Sequence, residues 1–155
     1  MVSTNAVADE AVSPPPAAAR WVVFTCAGKH FGFPLQVVSE IVTPRPFTRL
    51  PGAGRAVCGL VGLRGRVVTV FDTGTMLGLD PAAAQSDHRL LLIEVDSRRV
   101  GMAIDGVIAI APARLEPRSG ELGGRLAKAV LGTGRVHETT FVALDPEALV
   151  TPLLR

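Results

Sequence analysis

Tyrosine is absent from this 155-residue chain, tryptophan occurs once, and aromatic residues make up only 5%. Binders of single-stranded nucleic acid stack bases on aromatic platforms, so that class finds little support. Lysine is nearly absent too, since Lys29 and Lys128 stand against fourteen arginines, for a net charge of +2. This mild excess falls short of the clustered basic charge of a nucleic-acid binder. Charged residues amount to 19%, too few for a coiled coil or a long polar helix bundle. The two cysteines, Cys26 and Cys58, form no Cys-x-x-Cys. Both sit in apolar, strand-like runs and read as buried free thiols in a reducing compartment. No run of ~18 apolar residues occurs, so no membrane-spanning helix is expected. Residues 1–19 hold no Lys or Arg and no apolar core of the signal-peptide kind, which makes the cytoplasm the expected location.

What the chain does have is apolar bulk broken by turns. Apolar residues reach 48%, the mean hydropathy is +0.36, and there are 16 glycines and 12 prolines. A folded chain of this length buries about 70% of its unfolded surface, enough for a core without metal or disulfide. Residues 1–19, ending in Pro14-Pro15-Pro16 and three alanines, read as a flexible arm, and 20–155 as one compact domain of up to two lobes. No clean internal repeat is visible.

From Arg20 onward the pattern is β. Trp21–Cys26 and His30–Leu35 flank a turn at Ala27-Gly28-Lys29. Gln36–Val42 has Val37, Val38 and Ile41 at the spacing of one helical turn, which predicts that these three are buried and Glu40 points out. Pro44 and Pro46 end that segment. Ala56–Leu63 and Arg66–Phe71 form a hairpin around Arg64-Gly65, and Thr73–Leu77 reads as a short helix closed by Gly78. Arg89–Val95 and Val100–Ile104 flank a turn at Asp96-Ser97-Arg98. Val107–Ala111 follows a break at Gly106. Leu126–Gly134 and Thr139–Leu144 make the last pair, and Pro146 opens a terminal helix. About ten short strands with turns between them predict barrels or a sandwich.

No catalytic constellation is legible. His30, His88 and His137 stand far apart, with no ligand spacing to another His, Cys or paired acid. There is no Gly-x-Ser-x-Gly, and the carboxylates Glu40, Asp72, Glu94, Asp96 and Asp105 occur singly. Gly59-x-x-Gly62-x-x-Gly65 lacks the Gly-Lys-Ser/Thr of a phosphate loop and precedes a strand, so the glycines read as those of a tightly twisted hairpin. One charge feature stands out. Arg45, Arg49, Arg55, Arg64 and Arg66 lie between Glu40 and Asp72 without an intervening acid. The run reads either as a solvated basic strand edge or as a docking face for an acidic protein surface. A small basic barrel that binds nucleic acid is the rival class.

Taken in order, several pieces resemble the chemotaxis coupling proteins, the CheW-like domain family. They are WVVFT at 21–25, HFGFPL at 30–35, VVSEIV at 37–42, RLPGA at 49–53, GLVGLRGRVVTVFD at 59–72, LGL at 77–79 and VGMAIDGV at 100–107. The resemblance extends from Trp21 to Leu154. It implies a mainly β fold of two five-stranded, SH3-like barrel lobes packed on a shared hydrophobic core, with short helices. It also implies a non-enzymatic adaptor without cofactor or metal, bridging the cytoplasmic tip of a methyl-accepting chemoreceptor to the regulatory domain of a histidine kinase. Neither nucleic acid nor direct membrane insertion is expected of it. Carried over by motif, Val38, Glu40 and Ile41 belong to a segment linked to partner contacts, and Arg64 and Gly65 to a receptor-facing hairpin tip. The sequence departs from the family pattern at Gly62, where Asn is usual, at Thr69, where Pro is usual, and at Thr73-Gly74, where Leu-Arg is usual.

Overall fold

The computed structural model describes residues 18–43, 45–84, 87–117 and 124–154. The arm expected at 1–19 lies outside these residues but for its last two positions, as does Pro44. Among these residues ten strands and three short α-helices follow one another: β1 (Arg20–Cys26), β2 (Lys29–Pro34), β3 (Val38–Val42), β4 (Val57–Leu63), β5 (Arg66–Asp72), α1 (Thr73–Met76), β6 (Arg89–Val95), β7 (Arg98–Ile104), β8 (Gly106–Pro112), α2 (Gly124–Ala129), β9 (Val130–Val136), β10 (Thr139–Leu144) and α3 (Pro146–Val150). They form two five-stranded sheets, in the orders β8-β1-β2-β10-β9 and β3-β6-β7-β5-β4. Within each sheet one pair is parallel, β2 with β10 and β5 with β7, and the others are antiparallel.

The apolar run at the start of β1 follows from burial on both faces. Trp21 and Val23 pack with Phe141 and Ala143 inside the first sheet. Val22, Phe24 and Cys26 face the other way, into a core shared with Phe71, Leu91, Ile93 and Met102 of the second sheet. β6 repeats this arrangement. Leu90 and Leu92 join Val61, Val68 and Val70 inside the second sheet, while Leu91 and Ile93 enter the shared core.

The two sheets are built alike, although the sequence shows no repeat. In each, a hairpin from one half of the chain (β1–β2 or β6–β7) lies between strands from the other half. Past β3 the chain reaches across to β4, where Thr48 and Leu60 exchange two backbone hydrogen bonds of 2.8 Å. Past β8, Glu116 and Thr133 of β9 do the same, at 2.8 and 2.9 Å. Each bridge curls its sheet toward a barrel. Each also needs a glycine, since a Cβ on Gly59 would stand 2.5 Å from the Thr48 carbonyl oxygen and one on Gly132 2.6 Å from that of Glu116.

Two segments differ from the sequence reading. The predicted helical turn at 36–42 is a 3₁₀ turn over Leu35–Val37 followed by β3. Its apolar spacing suits a helix, but pairing with β6 decides the conformation. Residues 126–129, expected to begin a strand, belong to α2. The predicted turn at Ala27-Gly28, the hairpin at Arg64-Gly65 and the helix N-termini after Asp72 and Asp145 are all present.

Candidate functional site

β3 is an edge strand, and its pairing with β6 shifts register between Val38 and Glu40. The bulge leaves the exposed Ser39 with its hydroxyl donating to the Leu92 carbonyl at 3.0 Å. Bulges re-aim side chains, and here the shift places Glu40 and Val42 on one face, over the open end of the second sheet. Val38 is half-buried against the shared core. Ile41, expected in the core, points the other way and is 37% exposed.

Opposite β3 stands the β4–β5 hairpin. Arg64 and Gly65 both have positive φ, 51° and 78°, as a two-residue turn matched to strand twist requires. The fork of Arg64 does not project freely into solvent. Its Nη1 donates to Glu40 Oε1 at 2.5 Å and its Nη2 to Glu40 Oε2 at 2.6 Å. The Arg64 side chain remains 75% exposed and that of Glu40 27%. A bidentate pair fixes orientation as well as adding energy, so the ion pair braces the edge strand against the hairpin tip.

Between these elements lies a cleft of about 210 Å³, rimmed by Arg45, Arg64, Arg66 and Arg99 and floored by Val42, Leu63, Val68 and Leu92. The run of five arginines is thus divided. Arg45, Arg64 and Arg66 share the cleft, whereas Arg55 lines a separate hollow with Asp80 and Leu153. Arg99 joins them from β7, and nothing in the local sequence connects it with the others. A second, mainly apolar hollow of about 540 Å³ opens beside Phe31, Leu77, Leu79, Leu126, Val142 and Leu144, with Lys29 and His30 at its edge. Sequence reasoning did not anticipate it, because its walls come from four separate stretches of the chain. On the hairpin, Val67 is 70% exposed.

Elsewhere the reactive side chains are quiet. Burial, reinforced by the negative charge of Asp105, pushes the Cys26 thiol up to about 12. Burial and then Asp72 do the same for Cys58, also to about 12. His88 is buried and stacks on Phe47, with ring centroids 5.9 Å apart. Among the described residues, no three His, Cys, Asp or Glu side chains converge to hold a metal ion. No described helix is long and apolar enough to cross a membrane.

Comparison with known proteins gives one consistent result. Residues 20–153 match the CheW-like domain. The chain is 31% identical over 86 residues to a chemotaxis protein CheW of Rhizobium meliloti, covering 56% of each protein. It is 25% identical over 134 residues to a probable chemotaxis protein CheW of Rhizobium etli, covering 83% of this chain and 84% of that one. The crystal structure of the scaffolding protein TtCheW from Thermoanaerobacter tengcongensis superposes with a TM-score of 0.73 at 20% identity, covering 85% of this chain and 92% of that one.

Proposed function

The chain belongs to the CheW-like domain family, and from that premise we propose that it is a non-enzymatic chemosensory adaptor coupling methyl-accepting receptors to a histidine kinase. The observation that carries this reading is the family match across 20–153, which takes in all ten strands. The surface suits the role. An edge strand with an exposed Ile41 is braced by an ion pair to a hairpin tip with an exposed Val67, which offers apolar and charged contacts together. Val38, Glu40, Ile41, Arg64 and Gly65 form the proposed contact surface, with the receptor's cytoplasmic tip and the kinase regulatory domain as its partners. The work is cytoplasmic and the protein reaches receptor arrays through protein contacts alone. A nucleic-acid role fits the surface less well, because the arginines fall into separate hollows and no aromatic side chain lines their cleft.

The test is affinity purification of the tagged, full-length protein from its native cells at moderate salt, with mass spectrometry of what accompanies it. A chemoreceptor and a histidine kinase enriched together are the expected result. Enrichment of nucleic acid without either would overturn the reading.

A further inference from the structure

The cleft at the open end of the second sheet carries more positive charge than the described residues neutralise. Arg64 is engaged by both oxygens of Glu40. Arg99 makes one 3.4 Å contact from Nε to Glu94 Oε2. Arg45 and Arg66 meet no carboxylate among the described residues, although both are on the rim. Beneath them the floor is apolar, with Leu63, Val68 and Leu92 all buried. We propose that this cleft receives the side chain of a glutamate projecting from an acidic surface segment of a partner protein.

Three features select that occupant. At about 210 Å³ the cleft is smaller than the ~300–1,000 Å³ of ordinary small-molecule sites, though the mouth of a curled sheet is a usual place for a ligand. An apolar floor under a cationic rim matches an aliphatic stem ending in a carboxylate, which two unengaged guanidinium forks can grip bidentately. The Glu40 carboxylate on the wall disfavours a run of phosphates, and the lining holds no aromatic ring for a base to stack on. The Glu40–Arg64 pair then acts as a fixed jamb, keeping β3 and the hairpin apart so that the cleft stays open. This inference rests on the adaptor reading only in taking the occupant to be a protein.

The experiment titrates the blocked peptide acetyl-Glu-Glu-Glu-Glu-amide into the isotopically labelled full chain, followed by amide NMR shifts, with the all-glutamine peptide as control. Shifts confined to Arg45, the segment 64–68 and Arg99, weakening as salt rises, are the expected result. The glutamine peptide should leave these amides in place. The double variant Arg45→Gln, Arg66→Gln should bind about tenfold more weakly or worse, with each single change intermediate. Both residues are exposed, so amides remote from the cleft should not move in the variants. Equal binding of the two peptides, or an unaffected double variant, overturns the proposal. So does a short duplex DNA that binds more tightly than the peptide and is lost with the same substitutions. Because the peptide assay needs no natural partner, its failure beside successful co-purification of receptor and kinase would sink the cleft alone. The converse pattern would sink the adaptor reading alone.

Discussion

Arg64 occupies the left-handed region at φ 51°, which costs a non-glycine residue about 1–2 kcal/mol. The ion pair to Glu40 is largely exposed, and such pairs return at most about 1 kcal/mol. Stability therefore does not explain an arginine at this turn, whereas the contact surface proposed above would. Arg64→Ala and Glu40→Gln should each leave the melting temperature within a few degrees, yet each should weaken partner binding about tenfold. Because the two side chains act as one unit, the double variant should bind no worse than either single one. Additive losses in calorimetry would show instead that each contacts the partner independently. The thiols make a second residue-scale prediction. Burial holds Cys26 and Cys58 protonated up to about 12, against 9.0 for an ordinary thiol. In the unfolded chain both give up their protons near pH 9, so the stability linked to them is complete below that pH. It is lost as the pH climbs toward about 12. Urea midpoints should therefore fall through this window, and less steeply in Cys58→Ala; an unchanged slope would mean that the thiol has no part in the alkaline loss.

At the scale of elements, two aspartates in equivalent places carry unequal loads. Asp145 caps α3 through a single bond from the Glu147 amide at 3.0 Å. Asp72 is buried and accepts from Thr75, Ala82 and Ala83 amides at 2.9, 3.1 and 2.8 Å, pinning the connection between the two halves as well as capping α1. Asp145→Ala should cost about 1 kcal/mol, as ordinary caps do. Asp72→Ala should cost about 3 kcal/mol or more, since it strands three donors. Similar losses in urea unfolding would show that the two outer bonds add nothing. The bridges that curl the sheets make a sharper comparison. Gly59 and Gly132 have φ of 147° and 149°, with a carbonyl oxygen where a Cβ would go. Alanine at either should cost about 2 kcal/mol or more. Gly62 has open space around it and an ordinary φ, so Gly62→Ala should be neutral or gain about 0.5 kcal/mol. The family's usual asparagine is thus dispensable at this position for folding.

At the scale of the molecule, neither half of the chain owns a sheet. β1 and β2 need β8, β9 and β10 beside them, and β6 and β7 need β3, β4 and β5. Fragments 20–84 and 87–154 should each stay unfolded alone. Mixed, they should recover the native amide spectrum. A fragment that folds by itself would show that one curled sheet is autonomous. The interleaving also explains why the shared core draws Phe24, Phe71 and Met102 from distant parts of the chain, and why most of the fold's contacts are long in sequence. Such a topology folds slowly compared with a local one.

The sequence by itself determined where nine of the ten strands lie, where the hairpins turn and where α1 and α3 begin. Those features depend on neighbours in the chain, namely apolar runs, paired turn residues, the glycine that closes α1 and the proline that opens α3. It also determined the family, because motifs in order carry that information without a structure. Only the tertiary structure decided that Gln36–Val42 is mostly strand, that Ile41 faces solvent and that the two halves exchange hairpins. It alone brought Glu40 onto Arg64, and Arg99 beside Arg45 and Arg66. The physical reason is the same in each case. Strand pairing and ion pairing join residues tens of positions apart, and local spacing holds no record of which partner a strand will find.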